Sequence, residues 1–415
     1  MRIGFIATRL HGTDGVTLEV EKWAKVLTKL GHEIYYCAGE LGGYAQNGTL
    51  IPELHFTDQT VFALSQRAFE GAPDQDGDAL ADQIYSRADE MRAPLRNFIR
   101  SNHLDLIIVQ NALTIPMNLP LGVSLTGLIA ELGIDTIAHH HDFFWERQRY
   151  QTNAIFDLLD TAFPAKLPNI QHVTINSIAK ARLNARRGIT SIVIPNVLDF
   201  STPAPKFDDY NRGFRKDLGL DEDELLILQP TRVIQRKGIE MSIDIVKRLD
   251  GDNPHLFITH RADDEGLSYW RWLKREASVM NVDVQLIDHV IGAERGRIND
   301  HKIYSLWDAY LNADLITYPS LYEGFGNALL ESIYVKKLIV INRYPVYNAD
   351  IKPLGFEFVE LDGFVNENSI HQARELLNSP DRVKEITDKN YQLAQEYFSI
   401  EVLEKNLKEL IANFK

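Results

Sequence analysis

Apolar residues along this chain fall into short continuous runs that alternate with stretches of helical spacing. The first run, Ile3 to Ala7, predicts a buried strand over 2–7. A loop follows (Thr8-Arg9-Leu10-His11-Gly12-Thr13-Asp14-Gly15), and then Val16, Val20, Trp23, Ala24, Leu27 and Leu30 recur at the period of one helix face, predicting a helix over about 16–30. Gly31 suits the left-handed residue that ends a helix, and Glu33–Ala38 reads as the next strand. Strand, loop, helix, strand is the unit from which parallel sheets are built. The alternation continues with strands predicted at Leu104–Gln110, Asp135–His141, His172–Asn176 and Ser191–Ile194. Between them Ile84, Ala88, Met91, Leu95 and Phe98 form a helical face that Pro94 is expected to bend.

The small, proline-rich stretch Ser201-Thr202-Pro203-Ala204-Pro205 then interrupts the pattern, as a linker does. Beyond it the same alternation restarts, with strands predicted at Leu225–Gln229, His255–Thr259, Val284–Ile287, Leu315–Tyr318 and Leu338–Asn342. Helices are expected near 239–249, 267–280, 301–312 and 327–335, and the chain ends on a helical face of Leu403, Leu407, Leu410, Ile411 and Phe414. The reading is therefore α/β, with two doubly wound domains and ligands expected in a crevice at the carboxyl ends of the strands. A length of 415 residues agrees, since it exceeds what one hydrophobic core supports.

Charge and cysteine content narrow the function. A net charge of −14 argues against nucleic acid and anionic membrane as partners, because both need clustered positive charge. Arg92, Arg96 and Arg100 recur along one helix and leave a membrane-surface acceptor as an alternative, but Asp89 and Glu90 beside them favour a solvated face. Cys37, the single cysteine, lies in an apolar run and is expected to be a buried, inert thiol. With neither a leader pattern nor a membrane-length apolar run in the sequence, a cytoplasmic location is expected.

The most informative stretch is Tyr318-Pro319-Ser320-Leu321-Tyr322-Glu323-Gly324-Phe325-Gly326-Asn327-Ala328-Leu329-Leu330-Glu331, which follows a predicted strand and opens a helix. Gly324 and Gly326 let the backbone approach a ligand, and free N–H groups at the helix start suit a diphosphate. Glu323 falls in the loop and Glu331 in the helix, so they can reach different hydroxyls of one elongated ligand. Here the chain resembles family 4 of the retaining glycosyltransferases, whose hallmark is two glutamates with seven residues between them. The resemblance implies the GT-B fold, two Rossmann-like domains facing each other across a cleft: an acceptor-side domain at 1–200, rejoined by a C-terminal helix at about 398–415, and a donor-side domain at 201–397. It implies that Glu323 contacts the transferred sugar, that Glu331 contacts the nucleotide ribose, and that Gly324, Phe325 and Gly326 belong to the donor site.

Three further elements resemble the same family. In Gln229-Pro230-Thr231-Arg232-Val233-Ile234-Gln235-Arg236-Lys237-Gly238, Arg232 can grip phosphate oxygens as a fork and Lys237 as a point charge, together stabilising the leaving nucleoside diphosphate. Val193-Ile194-Pro195-Asn196-Val197-Leu198-Asp199 is similar to the family's interdomain turn, with Val197 or Leu198 where glycine is usual. In the first loop Gly12 and Gly15 stand where related enzymes bring glycine near the donor phosphate, so Gly15 is a donor-site candidate, although the adjacent glycine pair is missing and a plain tight turn is the competing reading.

His139-His140-His141-Asp142 closes a predicted strand. Alternation of strand side chains keeps three adjacent histidines from converging on one ion, so no metal is expected. By resemblance one histidine lies near the donor sugar; His141 fits best, with His140 as the alternative. The acidic runs Asp263-Asp264-Glu265 and Asp74-Gln75-Asp76 read as loop composition, and no cofactor is required beyond a UDP- or GDP-sugar as co-substrate. Phe143-Phe144-Trp145-Glu146-Arg147-Gln148-Arg149-Tyr150 offers aromatic faces for a sugar and, in Arg147 and Arg149, forks for a carboxylate. The expected reaction is transfer of a glucosyl or mannosyl unit to a small-molecule or glycan acceptor, including a small anionic one such as a glycerate derivative. The competing reading of the segment packs its aromatics in the core and pairs its arginines with acids such as Glu146. Competing functions are a glycoside phosphorylase of similar fold and a noncatalytic sugar-nucleotide-binding protein.

Overall fold

The alternating pattern folds into two α/β units in a computed structural model that describes residues 1–12, 15–71, 76–249, 253–261 and 267–414. One unit comprises Met1–Asn196 together with the chain from Ile400 onward, and the other comprises Val197–Ser399. In chain order, unit 1 contains β1 (Arg2–Ile6), α1 (Gly15–Lys29), β2 (Glu33–Ala38), β3 (Gly48–Leu50), α2 (Gln59–Glu70), α3 (Gly77–Ser101) and β4 (Leu106–Gln110). It continues with α4 (Leu119–Leu132), β5 (Asp135–His140), α5 (Phe156–Ala162), β6 (Ile170–Thr174), α6 (Ser177–Arg187) and β7 (Ser191–Val193). Its seven strands run parallel in the order β3-β2-β1-β4-β5-β6-β7.

A parallel sheet is covered on both faces, which is why its central strands are continuously apolar rather than alternating. Every residue of β4 is buried, and Ile107 and Val109 pack with Leu121, Leu125 and Leu128 of α4 in one core. The helix ends are specified locally. Asn118 and Asn176 accept hydrogen bonds from Leu121 N at 2.9 Å and Ala179 N at 2.7 Å, capping α4 and α6. Cys37 is buried, and burial pushes its thiol up to about 12, which leaves it inert.

Unit 2 contains α7 (Phe214–Asp217), β8 (Leu225–Arg232), α8 (Ile239–Arg248), β9 (Pro254–His260), α9 (Ser268–Met280), β10 (Val284–Leu286), β11 (Ile291–Gly292), β12 (Gly296–Ile298) and β13 (His301–Ser305). It continues with α10 (Leu306–Asn312), β14 (Leu315–Tyr318), α11 (Asn327–Tyr334), β15 (Ile339–Asn342), β16 (Val359–Leu361), α12 (Glu367–Leu377) and α13 (Pro380–Tyr397), and α14 (Ile400–Ala412) then belongs to unit 1. The main sheet is again parallel, in the order β10-β9-β8-β14-β15-β16. Its order reverses between β8 and β14, so the loops that follow these two strands lie at the topological switch point, where such sheets bind ligands.

Three expectations change. The helix expected over 301–312 begins only at Leu306, because His301–Ser305 pairs with β12 and β11 in a separate three-stranded sheet. Asn299 and Asp300, at φ of 46° and 64°, make the tight turn of that hairpin. The strand expected at 172–176 lies two residues earlier, and the strand expected from Leu104 begins at Leu106; α3 contains Pro94 within one helical span. Of the acidic runs, 263–265 and 74–75 lie outside the described residues, while Asp76 caps α3 by accepting from Asp78 N and Ala79 N.

Candidate active site

The loop after β8 and the loop after β14 are in backbone contact. Gly238 has φ +60°, and a Cβ there would lie 2.4 Å from the carbonyl oxygen of Pro319, so only glycine permits the approach. Leu321 N–H donates to the Arg236 carbonyl at 2.8 Å, joining the loops again. Gln229 at the base of β8 donates to the Lys237 carbonyl at 3.1 Å and accepts from Ser242 at 2.6 Å, which fixes the backbone that carries Lys237.

Glu323 sits between these loops, buried, and both of its carboxylate oxygens are taken. Lys237 Nζ donates to Oε1, and Arg236 Nη1 donates to Oε2 at 2.8 Å. Burial alone would push this carboxyl up, but the charges of Lys237 and Arg236 outweigh it and hold Glu323 down at about 2. Lys237 is itself lowered by burial, against the opposing pull of Glu323. Glu323 is therefore an anion at neutral pH, suited to electrostatic and hydrogen-bonding work rather than proton donation.

Arg232 ends β8, half-buried and in register with His260 of β9. Among the described residues no carboxylate pairs with it, so its fork is available to an anion. Glu331, one face of α11 away, accepts from the Tyr310 hydroxyl at 2.8 Å. Gly326, at φ +123°, begins α11 where a side chain would meet the hydroxyls of Tyr318 and Tyr344 at 2.9 and 3.0 Å. The Phe325 ring is buried against Phe398, centroids 5.1 Å apart, and its carbonyl accepts from the Tyr344 hydroxyl at 2.8 Å, so its side chain packs within the loop.

In unit 1, His141 lies half-buried just beyond β5, its ring 3.1 Å from Gln110 Oε1 and its N–H donating to Asn111 Oδ1 at 3.0 Å. His140, the alternative, is fully buried, with one ring nitrogen on Thr114 and the other 2.9 Å from His172. Both ring nitrogens of His140 thus have protein partners, whereas His141 is only half-buried. His139 stacks on Trp23 at 4.3 Å and lies tilted against His141 at 4.4 Å. Burial lowers His139 and His140 well below the ordinary imidazole range and His172 to about 4, so all three are neutral. Gly15 is the exposed first residue of α1; Thr13 and Asp14 before it lie outside the described residues.

The aromatic and basic segment after β5 turns mostly inward. Phe143 is buried and stacks on Trp145 at 4.5 Å. Arg147 pairs with Asp142 at 2.5 Å, Arg149 bonds Tyr150 and lies 4.5 Å over its ring, and Glu146 pairs with Arg182 at 2.7 Å. The arginines thus have protein partners, although not Glu146. On α3, Arg92 pairs with Asp89 and Arg96 with Glu131, while Arg100 is exposed. Among the described residues no three His, Cys, Asp or Glu groups gather as a metal site, and no helix is long and apolar enough to cross a membrane.

Two site residues went unassigned in the sequence reading. Arg236 stood beside Lys237, and nothing in the spacing said that both would reach Glu323. Tyr310 lies on another helix and carries no local signal.

The chain is 33% identical over 439 residues to the mannosylglucosylglycerate synthase of Petrotoga mobilis, covering 98% of this chain and 100% of that protein. It is 32% identical over 440 residues to the mannosylglucosylglycerate synthase of Thermotoga maritima, covering 97% and 98% respectively. Among solved structures, Anabaena Alr3699/HepE in complex with UDP superposes with a TM-score of 0.68 at 14% identity, covering 100% of both chains. The two Rossmann-like units are thereby those of the GT-B fold. No protein-family model matches the chain.

Proposed function

We propose a donor and an acceptor for this chain, which belongs to the glycosyltransferase family that includes the mannosylglucosylglycerate synthases. The reaction is transfer of a mannosyl unit from a nucleoside-diphosphate mannose to a hydroxyl of glucosylglycerate, with the anomeric configuration retained. Full-length likeness to enzymes named for that product supports the substrates, and the spacing of Glu323 and Glu331 supports placement in the retaining family 4.

The observation that carries the mechanism is the buried, ionised Glu323 clamped by two cations at the sheet's switch point. As the bond from the anomeric carbon to the diphosphate breaks, positive charge grows on the sugar and negative charge on the leaving oxygen. Glu323 lies beside the sugar and stabilises the first. Arg232 and Lys237, with the α11 N-terminus behind Gly324–Gly326, stabilise the second. The acceptor hydroxyl attacks from the face the diphosphate leaves and passes its proton to a diphosphate oxygen, so no enzyme carboxylic acid is needed. Glu331 holds the ribose. In unit 1, Gly15 approaches the donor phosphate and His141 the sugar, while Arg147 and Arg149 would bind the acceptor carboxylate only by exchanging Asp142 and Tyr150 for it.

The test is product analysis with GDP-mannose and UDP-glucose, each offered glucosylglycerate, glycerate and a neutral sugar such as glucose. An α-linked mannosyl product on glucosylglycerate is expected. A β-linked product removes the retaining mechanism, and transfer to neutral sugars alone removes the acidic acceptor.

A further inference from the structure

The proposed ribose contact, Glu331, does not stand alone. Tyr310 is completely buried on α10, and its hydroxyl donates to Glu331 Oε2 at 2.8 Å. A buried hydroxyl has to be satisfied, and a bond to an ionised acceptor is about twice as strong as one to a neutral group. An ionised carboxylate offers about four lone-pair positions, and the bond from Tyr310 occupies one on Oε2 and restrains that oxygen.

The helix that carries Tyr310 is itself pinned. Asp308, buried on the first turn of α10, accepts from Ser305 N at 2.9 Å, from Ser305 Oγ at 2.8 Å and from Asn211 Nδ2 at 3.1 Å. Arg295, at the root of the hairpin β12–β13, donates to both of its oxygens, at 3.0 and 2.5 Å. The Trp307 ring packs against Tyr310 and Tyr334, with centroids 5.9 and 5.6 Å apart, so α10 is held against α11. The Tyr310 hydroxyl, 3.4 Å from the Ala328 carbonyl as well, is thus held at α11 by the packing of its own helix.

From this geometry we propose that Tyr310 is a positioning residue that aims Glu331 at the donor's ribose and so sets the preference for ribonucleotide over deoxyribonucleotide donors. The proposal rests on the reading of Glu331 as the ribose contact. It adds a residue that touches no ligand and acts only through Glu331.

The experiment is calorimetric titration of the full-length protein with GDP and UDP and with the 2′- and 3′-deoxy analogues of whichever binds, for wild type, Tyr310→Phe and Glu331→Gln, alongside donor KM and kcat. Wild type should prefer the ribonucleotide to at least one deoxy analogue by about tenfold, as expected for a hydrogen bond to a charged group. Tyr310→Phe should lose most of that preference through weaker ribonucleotide binding, raising donor KM more than it lowers kcat. If Tyr310→Phe keeps the wild-type preference, the proposal is overturned, whether or not its Tm has fallen, because a purely structural role moves Tm without moving the ratio. If Glu331→Gln also keeps it, or wild type shows none, the ribose reading of Glu331 fails and the proposal with it. Loss in Glu331→Gln with retention in Tyr310→Phe overturns the role of Tyr310 alone.

Discussion

A buried carboxyl ordinarily moves toward its neutral form, and Glu323 does the reverse because two cations meet it. Its value in the fold is about 2, against 4.5 for a free glutamate, so its contribution to stability is complete above about pH 4.5 and is lost as pH falls toward 2. Glu323→Gln keeps the shape and removes the charge, leaving Lys237 buried without its counter-charge. Breaking a buried pair from one side costs about 3–5 kcal/mol, and Arg236, 40% exposed, moderates this through its access to water. The variant should therefore lose about 3 kcal/mol at pH 7 and show a flatter fall in stability from pH 5 to pH 3, read as urea midpoints across that range. Transfer should fall by about 10²-fold or more, since the anion beside the developing sugar cation is gone. A variant as stable and as active as wild type would mean that the clamp carries neither role.

At the scale of elements, the site depends on how closely the loops after β8 and β14 approach. Gly238→Ala tests this. The new methyl meets backbone, the Pro319 oxygen at 2.4 Å, as well as the flexible end of Met241 at 2.8 Å, so one loop must move. Gly219→Ala is the control: Gly219 shares a positive φ of 79° but has nothing within 4 Å of its Cβ position. Both variants should lose the roughly 1–2 kcal/mol of a left-handed non-glycine residue. Only Gly238→Ala should also lose transfer, by about 10²-fold, because a shift near 1 Å separates Lys237 and Arg236 from Glu323. Equal turnover in the two variants would show that the approach of the loops does not matter. These elements were legible to different degrees. Strands buried on both faces, such as Leu106–Gln110 and Leu315–Tyr318, announce themselves as apolar runs, and the glycines at 238 and 326 mark close approaches. The segment 301–305 was misread because Ile303 and Tyr304 extend the helical spacing of α10 backward, while its strand partners are two and three residues long. The three-residue strands β3 and β16 were not anticipated, although β7 and β10, equally short, were. Glu323 and Lys237 could be named from sequence, but their bond, the share taken by Arg236 and the brace from Tyr310 join residues 21 to 87 positions apart, which no local pattern encodes.

At the scale of the molecule, the chain does not finish where it last folded. It enters and leaves unit 2 side by side, Leu198 N–H donating to the Phe398 carbonyl at 2.9 Å, and α14 then completes unit 1. Leu403, Leu407, Leu410 and Ile411 are all buried there, and Lys29 of α1 meets Glu404 at 2.7 Å. That ion pair is exposed on the lysine side and adds little; the apolar face decides. Burying four such side chains is worth roughly 6–12 kcal/mol, comparable to the whole net stability of a domain, about 5–15 kcal/mol. Ending the chain after Ser399 should therefore unfold unit 1 while sparing unit 2, which retains Arg232, Lys237, Glu323 and Glu331. Hydrogen exchange should show protection lost in β1, β4 and β5 and kept in β8 and β14, and transfer should be abolished. The truncated protein should still bind the free nucleoside diphosphate through Arg232, Lys237 and Glu331, weakened by about tenfold or less, about 1.4 kcal/mol, as Gly15 is lost from the phosphate. Protection retained in unit 1 would show that α14 is dispensable, and complete loss of nucleotide binding with unit 2 still protected would show that unit 2 does not carry the main diphosphate and ribose contacts.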